Sequence, residues 1–376
     1  MALLKKFNGD EDKVRSLCHF TTHTPVEAGH DHFSIGRCRE ILHNLLPDNL
    51  KLPTLIQNNR LHMTELGLYF SRSANGVSEL HGEVARNQFP NFSIDHITNG
   101  IYHPYWLGKS FQELFDSKVP GWKTNPSLLL NLNNMTDKEL DIAHSSQKNI
   151  LLEYANKQSG ILLSNDILTI GFARRAAEYK RARLIFSNPD RLAELGKNKI
   201  QIIFAGKAHP KDERGKNIIQ GIFEDARRLE KSIKIIFLEN YNIQLGHIIT
   251  SGVDVWLNTP LRPNEASGTS GMKAALNGVP NLSILDGWWA EGCIHDKNGW
   301  AIGTIDSCDD KSDAESLYQL LENKVISTFY NDRKKWIDMM RSSIQTSVDF
   351  TAHRMINQYW KHFYQIKEKE AYNSIK

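Results

Sequence analysis

From about residue 161 onward, short β-rich apolar runs alternate with polar loops and helix formers. That alternation constrains the fold more than any other feature of the chain. The runs cover residues 167–172, 200–204, 233–237, 253–257 and 281–285. Strands alternating with helices imply βαβ units, and hence a parallel sheet with helices on both faces. In such sheets chemistry gathers at the C-terminal ends of the strands. The polar residues just after each run are therefore the ones to read. No internal repeat is visible.

The first 160 residues read differently, mixing helical patterns with polar loops. Ile35, Cys38, Ile41, Leu42, Leu45 and Leu46 recur at helical spacing, and Pro47 ends the run. Residues 61–70 predict a second, weaker helix. Thr136 and Glu139 have the spacing of a capping box and predict a helix start there. At the other end, residues 350–367 predict a helix. Its apolar face of Met355, Ile356, Tyr359, Trp360, Phe363 and Tyr364 is expected to dock against the rest of the protein.

Composition narrows the function classes. The 376 residues, 40% of them hydrophobic, are ample for two domains. With 46 basic and 43 acidic residues, the net charge of +3 makes no whole-chain case for nucleic acid or an acidic membrane. No apolar run reaches the ~18 residues a membrane span needs. Cys18, Cys38, Cys293 and Cys308 form no C-x-x-C pair, so reduced thiols and a cytoplasmic location are the expectation. His23, His30 and His32 lie close together in sequence. Without an H-E-x-x-H or a cysteine at ligand spacing, no metal is expected.

The loops after the runs carry the chemistry. Arg174, Arg175, Lys180 and Arg181 place four cations in eight residues at a strand-to-helix junction. Arginine offers paired planar donors to phosphate oxygens, lysine a point charge, and the following helix its free N–H groups. A solvated basic face explains the same residues equally well. Lys207 follows the run at 200–204, and Tyr241 follows the run at 233–237. An aromatic there can stack on a flat cofactor or a sugar, or simply pack in the core. After 253–257 small residues fill 266–271, and Lys273 lies just inside the next helix. Such a loop can wrap N–H groups around a phosphate. A lysine there can join a carbonyl cofactor if burial or cationic neighbours lower its pKa. A Gly/Ser turn with a surface lysine is the plainer reading of the spacing alone.

Taken in order, these stretches resemble the α-glucan phosphorylases, especially their bacterial branch. The likeness runs through FTTHTPVEAGHDHF (20–33), NGVSELHGEVAR (75–86), ITNGIYHPYW (97–106), IGFARRAAEYKRARL (170–184), IIFAGKAHP (202–210), IFLENY (236–241), VDVWLNTPLRPNEASGTSGMKAALNGVPNLSILDGWWAEG (253–292) and NGWAIG (298–303). It implies an α/β fold of the glycosyltransferase-B type, two Rossmann-like domains with a cleft between them, the N-terminal one incomplete. On that reading 1–160 is the C-terminal part of a glucan-binding domain, 161–350 the cofactor domain, and 351–376 a helix packing back on the domains. The resemblance also implies retaining phosphorolysis of α-1,4-glucan by inorganic phosphate to glucose 1-phosphate, with pyridoxal 5'-phosphate as cofactor. Lys273 resembles the lysine that carries the cofactor. Gly268, Thr269, Ser270 and Arg174 would hold its phosphate, and Tyr241 would lie against its ring. Arg175 and Lys180 resemble the pair that holds substrate phosphate. His23 and Asn99, and Glu265, Ser267 and Gly268, would contact the reacting glucose.

The chain also departs from that family's pattern. It has no GGLG loop and no HxNEGH stretch before FTTHTPV. The resemblance therefore implies an N-terminal sheet short of several strands, with exposed edges and apolar faces. Tyr102 stands where the family usually has His, and Pro280 where Leu is usual. Two other functions stay open. One is an inactive remnant, or half of a split enzyme that binds only glucan or cofactor. The other is a nucleotide-sugar glycosyltransferase. A homodimer and a complementing N-terminal chain are both open as partners.

Overall fold

The computed structural model describes residues 1–43, 56–306 and 309–365. Leu45, Leu46, Pro47, Cys308 and the last two residues of the expected tail helix lie outside them. The chain forms two compact units. The first comprises residues 1–99, 263–267 and the chain from 355, and the second comprises 100–262 and 268–354. The expected boundary near 160 thus has a counterpart after Asn99, because the helices between 103 and 159 pack with the second sheet.

The first unit is built from short strands: β1 (His19–Thr21), β2 (His32–Ser34), β3 (Ile56–Gln57), β4 (Arg60–His62), β5 (Ser73–Gly76) and β6 (Ile94–His96). β1, β5 and β6 form a parallel sheet in that order, and β2, β4 and β3 an antiparallel one. The helix expected over 61–70 begins only at Met63 and ends at Tyr69. Leu61 instead pairs with Phe33 in the antiparallel sheet. Ile35–Leu42 is helical, as its periodicity predicts.

Asn75, fully buried on β5, is the polar centre of the parallel sheet. Its Oδ1 accepts from Thr21 Oγ1 at 3.0 Å and lies 2.8 Å from His19 Nε2. Its Nδ2 donates to the Tyr359 hydroxyl at 2.9 Å. The tail is helical from Ala352 to Tyr359 and continues as a wider turn to Tyr364. Only part of its apolar face docks. Phe363 stacks on His19 with ring centroids 4.2 Å apart, whereas Ile356, Trp360 and Tyr364 stay exposed.

The second unit holds six strands: β7 (Leu168–Ala173), β8 (Ile200–Ala205), β9 (Lys234–Leu238), β10 (Val255–Asn258), β11 (Asn281–Ile284) and β12 (Gly299–Ile302). Five of them match the expected runs to within two residues, and β12 is a sixth that periodicity did not mark. All pair in parallel, in the order β12-β11-β10-β7-β8-β9. Every residue of β7 and β8 is buried, as expected for strands covered on both faces. The largest fully buried side chains among the described residues include six tryptophans, 122, 256, 288, 289, 300 and 336, all in this unit.

The 23-residue helix Asp137–Ser159 starts with the expected capping box of Thr136 and Glu139. It is fastened to the sheet by a buried ion cluster. Lys148 Nζ donates to Asp254 Oδ2 at 2.6 Å and to the Ile167 carbonyl at 2.8 Å. Thr169 N–H donates to the same carboxylate, and His144 Nε2 lies 3.0 Å from its other oxygen. Burial pushes the Asp254 carboxyl up, but the Lys148 charge and the His144 hydrogen bond outweigh it and hold the group below its ordinary range.

Candidate functional site

The strand order of the second unit fixes where a ligand can enter. From β7 the chain moves outward through β8 and β9, then returns to lay β10 on the other side of β7. Such a reversal splays the loops after the two central strands and opens a crevice at their C-terminal ends. The loops at this switch point are the ones that begin with Arg174 and with Thr259.

These two loops are bound to each other. Leu261 N–H donates to the Tyr179 carbonyl, and Thr259 Oγ1 donates to the Lys180 carbonyl at 3.2 Å. Arg181 donates to the carbonyls of Thr259 and Pro260 and pairs with Asp310 and Asp313 at 2.8 and 2.6 Å. Of the four cations it therefore serves as an internal tie, its charge matched by two carboxylates. Lys180 is buried beside the Tyr179 ring, Arg174 is half-buried, and Arg175 and Lys207 are exposed.

After β10, Gly268 adopts a left-handed conformation at φ 82° and caps the helix Thr269–Leu276. A side chain there would be strained, so glycine lets the loop turn straight into the helix. Ser270, in the first turn, has an Oγ shielded from solvent and without a hydrogen-bond partner. Unmatched buried hydroxyls are rare because each costs about 1–3 kcal/mol, and they call for an explanation.

Lys273 follows one turn later. Its Nζ sits 3.7 Å from the centroid of the Trp106 indole. Burial lowers its pKa to about 8, so about a tenth is free amine at pH 7, far more than for an exposed lysine. Trp106 is placed by Asn277, whose Nδ2 donates to the Trp106 carbonyl at 2.8 Å while its Oδ1 accepts from Gly108 N–H at 2.7 Å. Tyr241 lies beside the helix Ile243–Gly252. A Cβ on Gly246 would come within 2.9 Å of the Tyr241 hydroxyl, so a side chain there would make the ring shift. Burial raises the Tyr241 pKa, against the opposing charge of Arg174. An amine that sheds its proton readily, an unmatched hydroxyl at a helix start and nearby cations fit a ligand carrying both a carbonyl and an anionic group.

The remaining expected site residues belong to the first unit. His23 follows β1 and is exposed, yet partial burial of its ring lowers its pKa. Asn99 N–H donates to the Val77 carbonyl. Glu265 and Ser267 are buried, and Ser267 Oγ has no partner. Among the described residues no group of His, Cys, Asp or Glu is arranged to hold a metal ion, and no helix is long and apolar enough to cross a membrane. Two residues of the Lys273 surroundings escaped the residue-by-residue reading, Trp106 and His247. Trp106 closes the ITNGIYHPYW stretch and was legible there; His247 carries no sequence signal of its own.

Fold and site together define a mixed α/β protein with parallel sheets, of the kind found in glycosyltransferase-B proteins. The chain belongs to the carbohydrate phosphorylase family, whose model matches residues 37–299. It is 39% identical to the maltodextrin phosphorylase of Thermococcus litoralis, over 93% of this chain and 47% of that protein. It is 36% identical to the glycogen phosphorylase of Aquifex aeolicus, over 94% of this chain and 58% of that protein. The glycogen phosphorylase of Mycobacterium tuberculosis is 35% identical, over 93% and 47%. The chain spans about half the length of the curated relatives it matches.

Proposed function

We propose that the chain carries the cofactor half of an α-1,4-glucan phosphorylase, which releases α-D-glucose 1-phosphate from glycogen, starch or maltodextrin with retention. The observation that carries this reading is the Lys273 amine, desolvated under Trp106 one turn beyond Gly268. The partners are α-glucan and inorganic phosphate, with no role for nucleic acid or membrane. Either a second copy or a complementing N-terminal chain completes the assembly. The setting is cytoplasmic, which suits the free thiols of Cys18, Cys38 and Cys293.

In this proposal Lys273 holds pyridoxal 5'-phosphate, Tyr241 packs on its ring, and Gly268, Thr269, Ser270 and Arg174 receive its phosphate. Bound there, the cofactor supplies a phosphate group able to exchange a proton with substrate phosphate. Arg175 and Lys180 bind the substrate phosphate and balance the negative charge that gathers during cleavage. His23, Asn99, Glu265, Ser267 and Gly268 orient the reacting glucose. The first unit serves as the C-terminal part of a larger glucan-binding domain, and the second as the cofactor domain.

The test is an absorbance spectrum of the purified chain with pyridoxal phosphate, before and after borohydride, beside Lys273→Ala. We expect a new band that borohydride fixes and that the variant lacks. A folded, soluble chain without that band would overturn the cofactor reading and favour a remnant. Turnover of UDP- or ADP-glucose would favour the nucleotide-sugar alternative.

A further inference from the structure

The amine of Lys273 is capped by a stack rather than by one side chain. The His247 imidazole, on Ile243–Gly252, lies nearly parallel to the Trp106 indole, with centroids 6.2 Å apart and planes at 26°. Its Nε2 lies 3.3 Å from the Leu107 carbonyl oxygen, which ties the imidazole to the segment that carries the indole. Tyr105 meets both rings edge-on, at 5.1 Å from Trp106 and 5.8 Å from His247. The Trp106 indole thus contacts both the His247 ring and Lys273 Nζ. Among the described residues, the titratable groups with a ring or cation contact to these rings include Tyr105, from the same turn as Trp106, together with His247 and Lys273. Asn277 fixes the backbone of Trp106, but His247 and Tyr105 brace its ring.

We propose that His247 is a positioning residue, holding the Trp106 indole flat over the Lys273 amine and so keeping that amine out of water. The inference rests on the reading of Lys273 as the cofactor-bearing lysine. Its physical content concerns the amine alone. An indole free to swing away would admit water, and a hydrated ammonium is harder to deprotonate than a desolvated one. With the indole pinned, the Lys273 ammonium loses its proton to solvent at lower pH than an exposed lysine does. The cation–π attraction of the indole works the other way, but burial dominates at this site.

The experiment measures labelling of Lys273 by fluorodinitrobenzene from pH 6 to 11 on the full chain without cofactor. Peptide mass spectrometry reads the product, with exposed Lys109 as the internal reference. Wild-type Lys273 is expected to label with a midpoint near pH 8. His247→Ala and His247→Gln should each raise that midpoint by about one unit, which at pH 8 slows labelling roughly fivefold. His247→Phe keeps an aromatic face against Trp106 and should retain the wild-type midpoint. His247→Gln serves if the alanine variant is not folded by circular dichroism. An unchanged midpoint in the folded Ala or Gln variant overturns the proposal, as does a rise in the Phe variant equal to theirs. A wild-type chain that labels as expected but gives no borohydride-fixed band would sink the cofactor reading and leave this inference standing.

Discussion

The two units solve the same problem with different materials. The second buries apolar strands, six tryptophans and the Lys148–Asp254 charge cluster in and around a six-stranded sheet. The first has strands of two to four residues and only small apolar clusters, and it leans on buried polar side chains. Eight of the chain's fifteen histidines lie in residues 1–99. His19, His23, His30, His62 and His81 all have lowered pKa values with burial as the leading cause. A core of hydrocarbon is indifferent to pH, whereas one assembled from neutral imidazoles is not. The comparison separates a rigid platform for the lysine site from a unit whose stability depends on the solvent.

The largest expected effect tests the most deeply buried charge cluster described in the second unit. Lys148→Met leaves the Asp254 carboxylate buried without its cation, which should cost about 3–5 kcal/mol. Denaturant unfolding followed by tryptophan fluorescence reports on this unit. A loss below about 1 kcal/mol would mean that the apolar core carries it unaided.

Acid should sharpen the contrast. His81 Nδ1 accepts the Val77 N–H at 3.1 Å, and burial lowers the His81 pKa to about 4. Above its ordinary value of 6.5 the ring is neutral in both folded and unfolded chains, and the stability is fully present. As pH falls from 6.5 toward 4 the unfolded chain binds the extra proton first, so stability is lost through that window, by about 3 kcal/mol in all. Hydrogen exchange read peptide by peptide at pH 7 and pH 5 should show the first unit opening ahead of the second. Uniform loosening, or the reverse order, would break the comparison.

The smallest effect is local. Tyr359→Phe removes the hydroxyl that accepts from Asn75 Nδ2 and should cost the first unit about 1 kcal/mol. The second unit's unfolding midpoint should not move, and a shift there would show that the tail acts beyond its own unit.

Much of this architecture was legible because it is local. Five strands announced themselves as apolar runs, and Thr136 with Glu139 announced a helix start. The loss of Leu61 to a strand was less visible, since its pairing with Phe33 is a tertiary choice that overrides a helical pattern. β12, Gly299–Ile302, has only three apolar residues after a glycine and gave no periodicity to read. Among the site residues, the motif around Lys273 stood out, but its desolvation did not. That desolvation comes from Trp106, distant in sequence and brought near by Asn277. Arg181 could not be told from its cationic neighbours for the same reason. Nothing in a run of cations says which one will be met by Asp310 and Asp313. Lys148 would pass for a solvated helix lysine until Asp254 is seen beside it.

The adjacency of β7 and β10 has a further consequence, for how the molecule is made. Thr169 and Asp254 stand 85 positions apart yet are joined by a hydrogen bond at 2.7 Å. Loop-closure entropy must be overcome before such a pairing is rewarded, and chains rich in distant contacts reach their native state slowly. Neither loop can form half of the crevice while the central pair is unzipped. The lysine pocket is thus expected to form only once that pairing has closed, so recovery of the desolvated Lys273 amine during refolding should not precede recovery of the sheet.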